Sequence, residues 1–153
     1  MIAVIQRVNN ATVYADGELS GKIDKGLYIL LGVHKDDTEK DCIALSEKIS
    51  KLRIFSDTNG KMNLSVQYVY GEILVVSNFT LHANYSHGNR PDYFASAAPE
   101  HENTLYEYFK ELISKNVRKT ESGKFGADMR TEMSTDGPVT IVMDSKVLLG
   151  GKI

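Results

Sequence analysis

The chain has few of the features that mark exported, disulfide-bonded or membrane-spanning proteins. Its single cysteine, Cys42, excludes an internal disulfide and lies on the apolar stripe of a predicted helix, which favours a buried free thiol. No stretch approaches the ~20 apolar residues that a membrane span requires. Residues 1–7 contain an apolar run too short for a signal peptide, and their charge follows that run. We expect a cytoplasmic protein with no membrane partner.

The chain also lacks a positive net charge, since 18 Lys and Arg residues face 20 Asp and Glu residues, for a formal charge of −2. This balance creates no field that attracts a polyanion, so any contact with nucleic acid must rest on local groups. One local basic cluster follows the second predicted helix and is a candidate for contact with phosphates. Favourable placement of cations at the negative end of a helix explains the cluster equally well. It comprises Lys115, Arg118, Lys119 and Lys124. No phosphate-binding loop or dinucleotide fingerprint occurs.

The length of 153 residues and the hydrophobic share of 42% are typical of one globular domain, which we place over residues 1–153. Residues 2–8 and 11–15 have strand patterns, and Asp16-Gly17 supplies a turn before a further strand through Ile23. This opening predicts an antiparallel meander. Residues 27–33 and 73–76 are continuously apolar, which predicts central strands covered on both faces by helices or by a partner subunit.

Two helices are predicted. The first spans residues 39–51 after Thr38 as N-cap, and a short strand at residues 53–55 follows it. The second runs from Pro99 to about Lys115. Its buried stripe is predicted to comprise Leu105, Phe109, Leu112 and Ile113, and its charged face Glu102, Glu107, Lys110 and Glu111.

The C-terminal part alternates around residues 129–133, turns at residues 135–138 and resumes as a strand over residues 139–143, which predicts a hairpin. The fold class is therefore α/β: a single compact domain with a mostly antiparallel or mixed sheet and two main helices.

Polar residues 77–81 follow the buried strand, where side chains and free amides can face a ligand. The bland alternative is that the strand simply ends there. Thr80 is a candidate nucleophile, with His82 on the same face if the strand continues, but no third group orients the imidazole. His82 and His87 match half of a zinc-finger spacing and the other half is missing, so we expect no metal. Gly137-Pro138 predicts a turn, and a cis bond has a base rate of only about 5–6%.

Several ordered stretches across the chain form a recognisable set. They are residues 5–8 (Ile-Gln-Arg-Val), 26–33, 53–57, 60–64, 75–81 (Val-Val-Ser-Asn-Phe-Thr-Leu), 126–129 (Gly-Ala-Asp-Met) and 136–140 (Asp-Gly-Pro-Val-Thr). Taken together they resemble the D-aminoacyl-tRNA deacylase family, and the resemblance covers essentially the whole chain. The resemblance implies a barrel-like fold of the deacylase type. It also implies hydrolysis of the ester between a D-amino acid and tRNA, with no cofactor.

The resemblance further implies a homodimer in which Gly137 and Pro138 of one subunit, joined by a cis peptide, reach into the pocket of the other. Their carbonyls would face the Cα of the amino acid, admitting D residues and glycine and rejecting L residues. Arg7 would hold that segment in place. The residues expected to contact substrate are Ser77, Asn78, Phe79, Met129, Gly137 and Pro138.

The chemistry implied is attack by water, with the amides around Phe79 and Thr80 as donors to the oxyanion. Either Thr80 or the 2′-OH of the terminal adenosine would drive it, and we favour the 2′-OH. The family usually has Gln where this chain has Asn78, which leaves the part played by Asn78 open. Two alternatives remain: a related deacylase that clears mischarged L-alanine while holding the Gly-Pro bond trans, and a non-catalytic regulator that binds nucleic acid.

Overall fold

A computed structural model of the chain describes residues 1–151, so Lys152 and Ile153 of the predicted domain lie outside the described residues. The strands are β1 (Ile2–Ala15), β2 (Glu18–Ile23), β3 (Gly26–Gly32), β4 (Phe55–Ser56), β5 (Met62–Leu64), β6 (Glu72–Ser77), β7 (Lys119–Ser122) and β8 (Met129–Asp144). The helices are α1 (Glu39–Lys51), α2 (Pro99–Ser114) and the short α3 (Ser145–Leu148), with a 3-10 helix at Phe79–His82. Within residues 1–151, no helix is long and apolar enough to cross a membrane.

Six strands form one mixed sheet in the order β2-β1-β3-β6-β7, with β8 paired to β1. Strand β1 is antiparallel to β2, β3 and β8, whereas β3 and β6, and β6 and β7, are parallel. The sheet curls until β2 meets β7, where side chains bridge the two edges. The Ser20 hydroxyl donates to the Ser122 carbonyl at 2.9 Å, and the Lys119 ammonium to the Lys22 carbonyl at 3.0 Å. The predicted mixed, barrel-like sheet is confirmed.

Helices α1 and α2 cover one face of the sheet, and the predicted bounds of both are confirmed to within a residue. Phe109, Tyr106 and Leu45 are fully or almost fully buried between helices and sheet, and each such side chain contributes roughly 1.5–3 kcal/mol. Strands β3 and β6 are buried on both faces, as their apolar runs predicted. A second apolar cluster, which includes Tyr28 and Leu74, fills the space between the curled strands.

The predicted C-terminal hairpin is wrong, because β8 is one strand of 16 residues. Both halves of β8 pair with β1, from Ala15 opposite Met129 to Ile2 opposite Asp144. The register shifts between Gln6 and Val8 of β1, and residues 136–139 are left unpaired. What the sequence pattern presented as a turn is therefore a bulge in a continuous strand, which we call the Gly-Pro bulge (residues 136–139).

Two further strand predictions need correction. The expected strands at residues 2–8 and 11–15 are a single strand of 14 residues, since Asn10 still pairs with Ser134 of β8. The strand expected at residues 53–55 begins at Phe55 instead and forms a separate small sheet with β5. Strands β5 and β7 and helix α3 were not predicted.

Candidate active site

Strand β6 ends at Ser77, which contacts helix α2. The Asn78 amide still bonds to the Leu31 carbonyl at 2.8 Å, and the chain then turns into the 3-10 helix. The amides of Phe79 and Thr80 open that helix, where the first N–H groups have no acceptor within the helix. Among residues 1–151 they also have no backbone acceptor outside it. Two adjacent N–H groups are therefore free to bind an anionic oxygen.

Thr80 and His82 do not form a nucleophile and base. The strand ends before them, so the shared strand face considered from the sequence does not exist. The exposed Thr80 hydroxyl donates to the amide oxygen of Asn78, and the half-buried His82 ring pairs through Nε2 with the Gly32 carbonyl at 3.1 Å. Burial lowers the pKa of His82, which favours the neutral ring.

The Ser77 hydroxyl donates to Oε1 of Glu102 at 3.1 Å, and Glu102 is only 5% exposed. Burial raises the pKa of this carboxyl, and the hydrogen bond from Ser77 offsets part of the rise. The assignment of Glu102 to the charged face of α2 is therefore wrong. The available signal was its position three residues before Leu105, in line with the buried stripe.

Phe79 presents a half-exposed ring, with 47% of its surface open to solvent. Its ring meets that of Tyr93 edge to face, with the centroids 5.0 Å apart. Its carbonyl accepts a hydrogen bond of 2.9 Å from the Ser96 hydroxyl. Phe79 is thus fixed by the loop that follows the 3-10 helix.

Met129, the first residue of β8, is half-buried near the end of β6. A Cβ at Gly123 would overlap with the Met129 sulfur and would lie 3.6 Å from a methyl group of Val76, the residue before Ser77. Met129 therefore lies in the neighbourhood of the strand end within the same chain.

The Gly-Pro bulge is exposed at Gly137 and Pro138, and the peptide bond between them is cis. Arg7 lies beneath it, with Nε 3.0 Å from Oδ2 of Asp136. The same guanidinium donates to the Ile54 carbonyl at 2.7 Å. The Arg7 side chain is 11% exposed, so its charge is largely removed from water and is balanced by Asp136.

The sheet register keeps the Gly-Pro bulge away from the strand end of the same chain. Ser77 pairs with Leu31 on β3, whereas Arg7, beneath the bulge, pairs with Leu27. The two positions are four residues apart along β3, roughly 13 Å, and lie on opposite sides of β1 and β3. One chain brings together Ser77, Asn78, Phe79, Thr80 and Met129, but it does not bring Gly137 and Pro138 to them.

The other polar groups considered from the sequence lie elsewhere. His101 pairs through its ring with the Asp37 carbonyl at 2.9 Å. Across residues 1–151, no group of three or more His, Cys, Asp or Glu side chains is placed to hold a metal ion. In the basic cluster, Arg118 pairs with Glu72 at 2.7 Å and Lys115 with Glu111 at 3.3 Å. These charges are part of local ion pairs.

Comparison with known proteins identifies the family. The family model of D-Tyr-tRNA(Tyr) deacylases matches residues 4–144. A D-aminoacyl-tRNA deacylase of Thermosipho melanesiensis is 53% identical over 147 residues, which cover 95% of this chain and 98% of that protein. A D-aminoacyl-tRNA deacylase of Salmonella typhi is 49% identical over 140 residues, which cover 92% of this chain and 97% of that protein.

Two solved structures share the fold. A c-Myc DNA Unwinding Element Binding Protein superposes with a TM-score of 0.88 at 39% identity, over 94% of this chain and 98% of that one. A probable eukaryotic D-amino acid tRNA deacylase superposes with a TM-score of 0.81 at 15% identity, with the same coverage, 94% of this chain and 98% of that one. The resemblance found in the sequence is confirmed. The chain belongs to the D-aminoacyl-tRNA deacylase family, a family of enzymes that hydrolyse aminoacyl-tRNA.

Proposed function

We propose that this protein hydrolyses D-aminoacyl-tRNA to free D-amino acid and tRNA, using a site that two subunits build together. The observation that carries the proposal is that family membership coincides with two free amides at the end of β6. Glycyl-tRNA is expected to react as well. The proposed reaction takes place in the cytoplasm, uses no cofactor or metal and is performed by one domain per subunit.

A homodimer accounts for the separation of the Gly-Pro bulge from the strand end. An exposed bulge that lies away from the strand end of its own chain is free to contact the strand end of a second copy. An apolar row supports this arrangement, because Val142 of β8 is 70% exposed and pairs with Val4, which pairs with Leu30. Paired residues point to the same side of a sheet, so the three form a patch that a second subunit can cover.

The chiral filter proposed for the dimer is steric. Carbonyls of Gly137 and Pro138 from one subunit would face the Cα of the bound amino acid and leave space for a D side chain but not for an L side chain. Arg7 supports this role, since it joins the bulge to the Ile54 carbonyl. Rigid backbone rejects the wrong enantiomer without weakening the binding of the right one. Glycine lacks a side chain to reject.

The proposed chemistry is attack by water on the ester carbonyl carbon. The amides of Phe79 and Thr80 would stabilise the oxyanion, after which the carbon–oxygen bond to ribose breaks and the ribose oxygen takes a proton. The 2′-OH of the terminal adenosine is proposed to help activate the water. The contacts of Thr80 support this assignment, because within residues 1–151 the one side-chain hydrogen bond of its hydroxyl goes to Asn78.

The function is tested by following D-Tyr-tRNA and L-Tyr-tRNA with purified protein. We expect rapid release of D-tyrosine and slow release of L-tyrosine. Equal rates would sink the proposed filter, and preferential release of L-alanine from L-Ala-tRNA would favour the related deacylase.

The mechanism is tested with Thr80→Ala and with tRNA that ends in 2′-deoxyadenosine. We expect the variant to keep substantial activity and the deoxy substrate to react slowly. Complete loss of hydrolytic activity in a folded Thr80→Ala variant would instead assign Thr80 as the nucleophile or as an essential donor.

Similarity to the c-Myc DNA Unwinding Element Binding Protein, at 39% identity, supports a second candidate function. In that case the protein is a non-catalytic regulator that binds nucleic acid. Salt-sensitive binding of uncharged tRNA or DNA without ester hydrolysis, even at high protein concentration, would favour it.

A further inference from the structure

The loop between the 3-10 helix and α2, which we call the aromatic loop (residues 83–96), is closed by a pair of backbone hydrogen bonds. The Asn84 amide donates to the Asp92 carbonyl at 2.8 Å, and the Asp92 amide donates to the Asn84 carbonyl at 2.9 Å. The Asn84 side chain also donates to the Asp92 carboxylate at 3.0 Å. The loop is therefore a defined surface feature that can present side chains in fixed positions.

Two aromatic side chains of this loop are placed in solvent. Phe94 is 84% exposed and Tyr85 is 80% exposed, more than any other large hydrophobic side chain of residues 1–151. Tyr85 directly follows Asn84, and Phe94 lies two residues after Asp92, the residue that pairs with Asn84. Exposed aromatic rings on one ordered loop are typical of a surface that binds a partner.

The charge on the loop indicates what kind of partner fits. Of the five arginines, Arg90 alone has neither a hydrogen bond nor an ion pair among the described residues, and it is exposed. His87 is exposed on the same loop, and exposed Lys35 donates its amide to the loop carbonyl of Ala95 at 2.9 Å. Exposed aromatic rings on the same loop as an exposed arginine are a combination that binds single-stranded nucleic acid, by stacking on bases and by contact with phosphate.

The aromatic loop is continuous with the candidate active site. The Ser96 hydroxyl bonds to the Phe79 carbonyl, and the Tyr93 ring packs against the Phe79 ring. A ligand bound at Phe79 therefore lies next to this loop.

We propose that the aromatic loop binds the unpaired nucleotides that precede the terminal adenosine of the tRNA, with bases stacked on Tyr85 and Phe94 and a phosphate on Arg90. This proposal rests on the function proposed above. It assigns the recognition of RNA to a local patch, in a chain whose overall charge of −2 provides no general attraction.

The test compares substrates of different length. Phe94→Ala and Tyr85→Ala are assayed with D-Tyr-tRNA, with a D-tyrosylated CCA trinucleotide and with D-tyrosyl-adenosine. We expect KM for the two longer substrates to rise roughly 5- to 140-fold per lost stacking contact, with kcat little changed. KM for D-tyrosyl-adenosine should stay as in the unmodified protein. Arg90→Gln should reduce the salt dependence of tRNA binding by about one phosphate contact.

Tyr68→Ala is the matched control, because Tyr68 is 70% exposed and lies between β5 and β6, outside the loop. It should change none of the three KM values. Binding of an uncharged, fluorescently labelled CCA-ended oligonucleotide is measured by anisotropy in parallel, so that the loop is tested even if no substrate is hydrolysed.

Two results would overturn the assignment. The first is unchanged oligonucleotide affinity and unchanged KM in Phe94→Ala and Tyr85→Ala. The second is a shift of these variants from dimer to monomer in sedimentation velocity, which would make the loop a contact between subunits. Failure of the unmodified protein to hydrolyse D-Tyr-tRNA would instead count against the proposed function, and the anisotropy measurement would still show whether the loop binds RNA.

Discussion

The hydroxyl of Ser77 donates a hydrogen bond of 3.1 Å to Glu102, which joins the last residue of β6 to the first turns of α2. The carboxyl is almost fully buried, and burial raises its pKa. The hydrogen bond to this buried acid holds the Ser77 side chain in one orientation at the end of β6. We therefore interpret Glu102 as a positioning residue beneath the candidate site.

The protein is expected to lose stability as pH rises, and Glu102→Gln is expected to make that loss smaller. Because the pKa of Glu102 is raised in the folded protein, its stabilising effect is complete below the unfolded pKa and is lost as pH rises through the folded pKa. Glutamine has no charge to bury and can still accept from Ser77. Urea denaturation across pH measures the effect, with exposed Glu100→Gln as the control. If stability depends on pH in Glu102→Gln as it does in the unmodified protein, the Glu102 carboxyl does not cause that dependence.

Asp41→Asn is expected to lower the free energy of unfolding by about 1–3 kcal/mol at neutral pH. Burial alone would raise the pKa of Asp41, but hydrogen bonds from the Ser145 hydroxyl at 2.6 Å and the Thr38 amide at 2.8 Å outweigh it and lower the pKa. The stabilisation is present above the unfolded pKa and is lost as pH falls through the folded pKa. Chemical denaturation at neutral and acidic pH checks this, with exposed Glu39→Gln as control. A variant as stable as the unmodified protein at neutral pH would contradict it.

Arg7→Lys is expected to lower the ratio of D- to L-tyrosine release by about tenfold, equivalent to about 1.4 kcal/mol. A guanidinium contacts Asp136 and the Ile54 carbonyl together, and a single ammonium cannot reproduce both contacts. Rates on D-Tyr-tRNA and L-Tyr-tRNA give the ratio. Arg130→Lys, also a change of an ion-paired arginine but on the exposed side of β8, should leave it unchanged. If Arg7→Lys and Arg130→Lys release D- and L-tyrosine in the same ratio, Arg7 does not position the Gly-Pro bulge for chiral selection.

Gly137→Ala is expected to destabilise the protein more than Gly17→Ala and to reduce hydrolysis of D-Tyr-tRNA. Gly137 has a φ of +130°, and a Cβ there would lie 2.6 Å from the backbone nitrogen of Val139. Gly17 also has a positive φ, +81°, but has nothing within 4 Å of such a Cβ, so it reports the backbone cost alone. Thermal unfolding and turnover are measured on both. Equal destabilisation would mean that the bulge can move to accommodate the methyl group.

The helices could be predicted from the sequence because local signals define them. Thr38 precedes the apolar stripe of α1, and Pro99 opens α2. Strands β3 and β6 could be predicted for a similar reason, since only burial on both faces explains their apolar runs. Their parallel pairing could not be predicted, because it depends on which distant strands meet.

The errors have the same origin. Asp136, Gly137 and Pro138 have the composition of a hairpin turn, and only the long partner β1 makes them a bulge. Glu102 was assigned to solvent by its charge, and only the packing of α2 against β6 reveals its contact with Ser77. The separation of the Gly-Pro bulge from the strand end, on which the proposed shared site rests, follows from register and has no local signal.

The contacts that close the sheet between β2 and β7 also bear on aggregation. An open pair of strand edges offers carbonyls and amides to any passing chain, and edges of this kind initiate aggregation. Here a lysine ammonium and a serine hydroxyl already occupy the carbonyls of Lys22 and Ser122. These contacts thereby protect the facing edges of β2 and β7, whereas the apolar row around Val142 stays exposed.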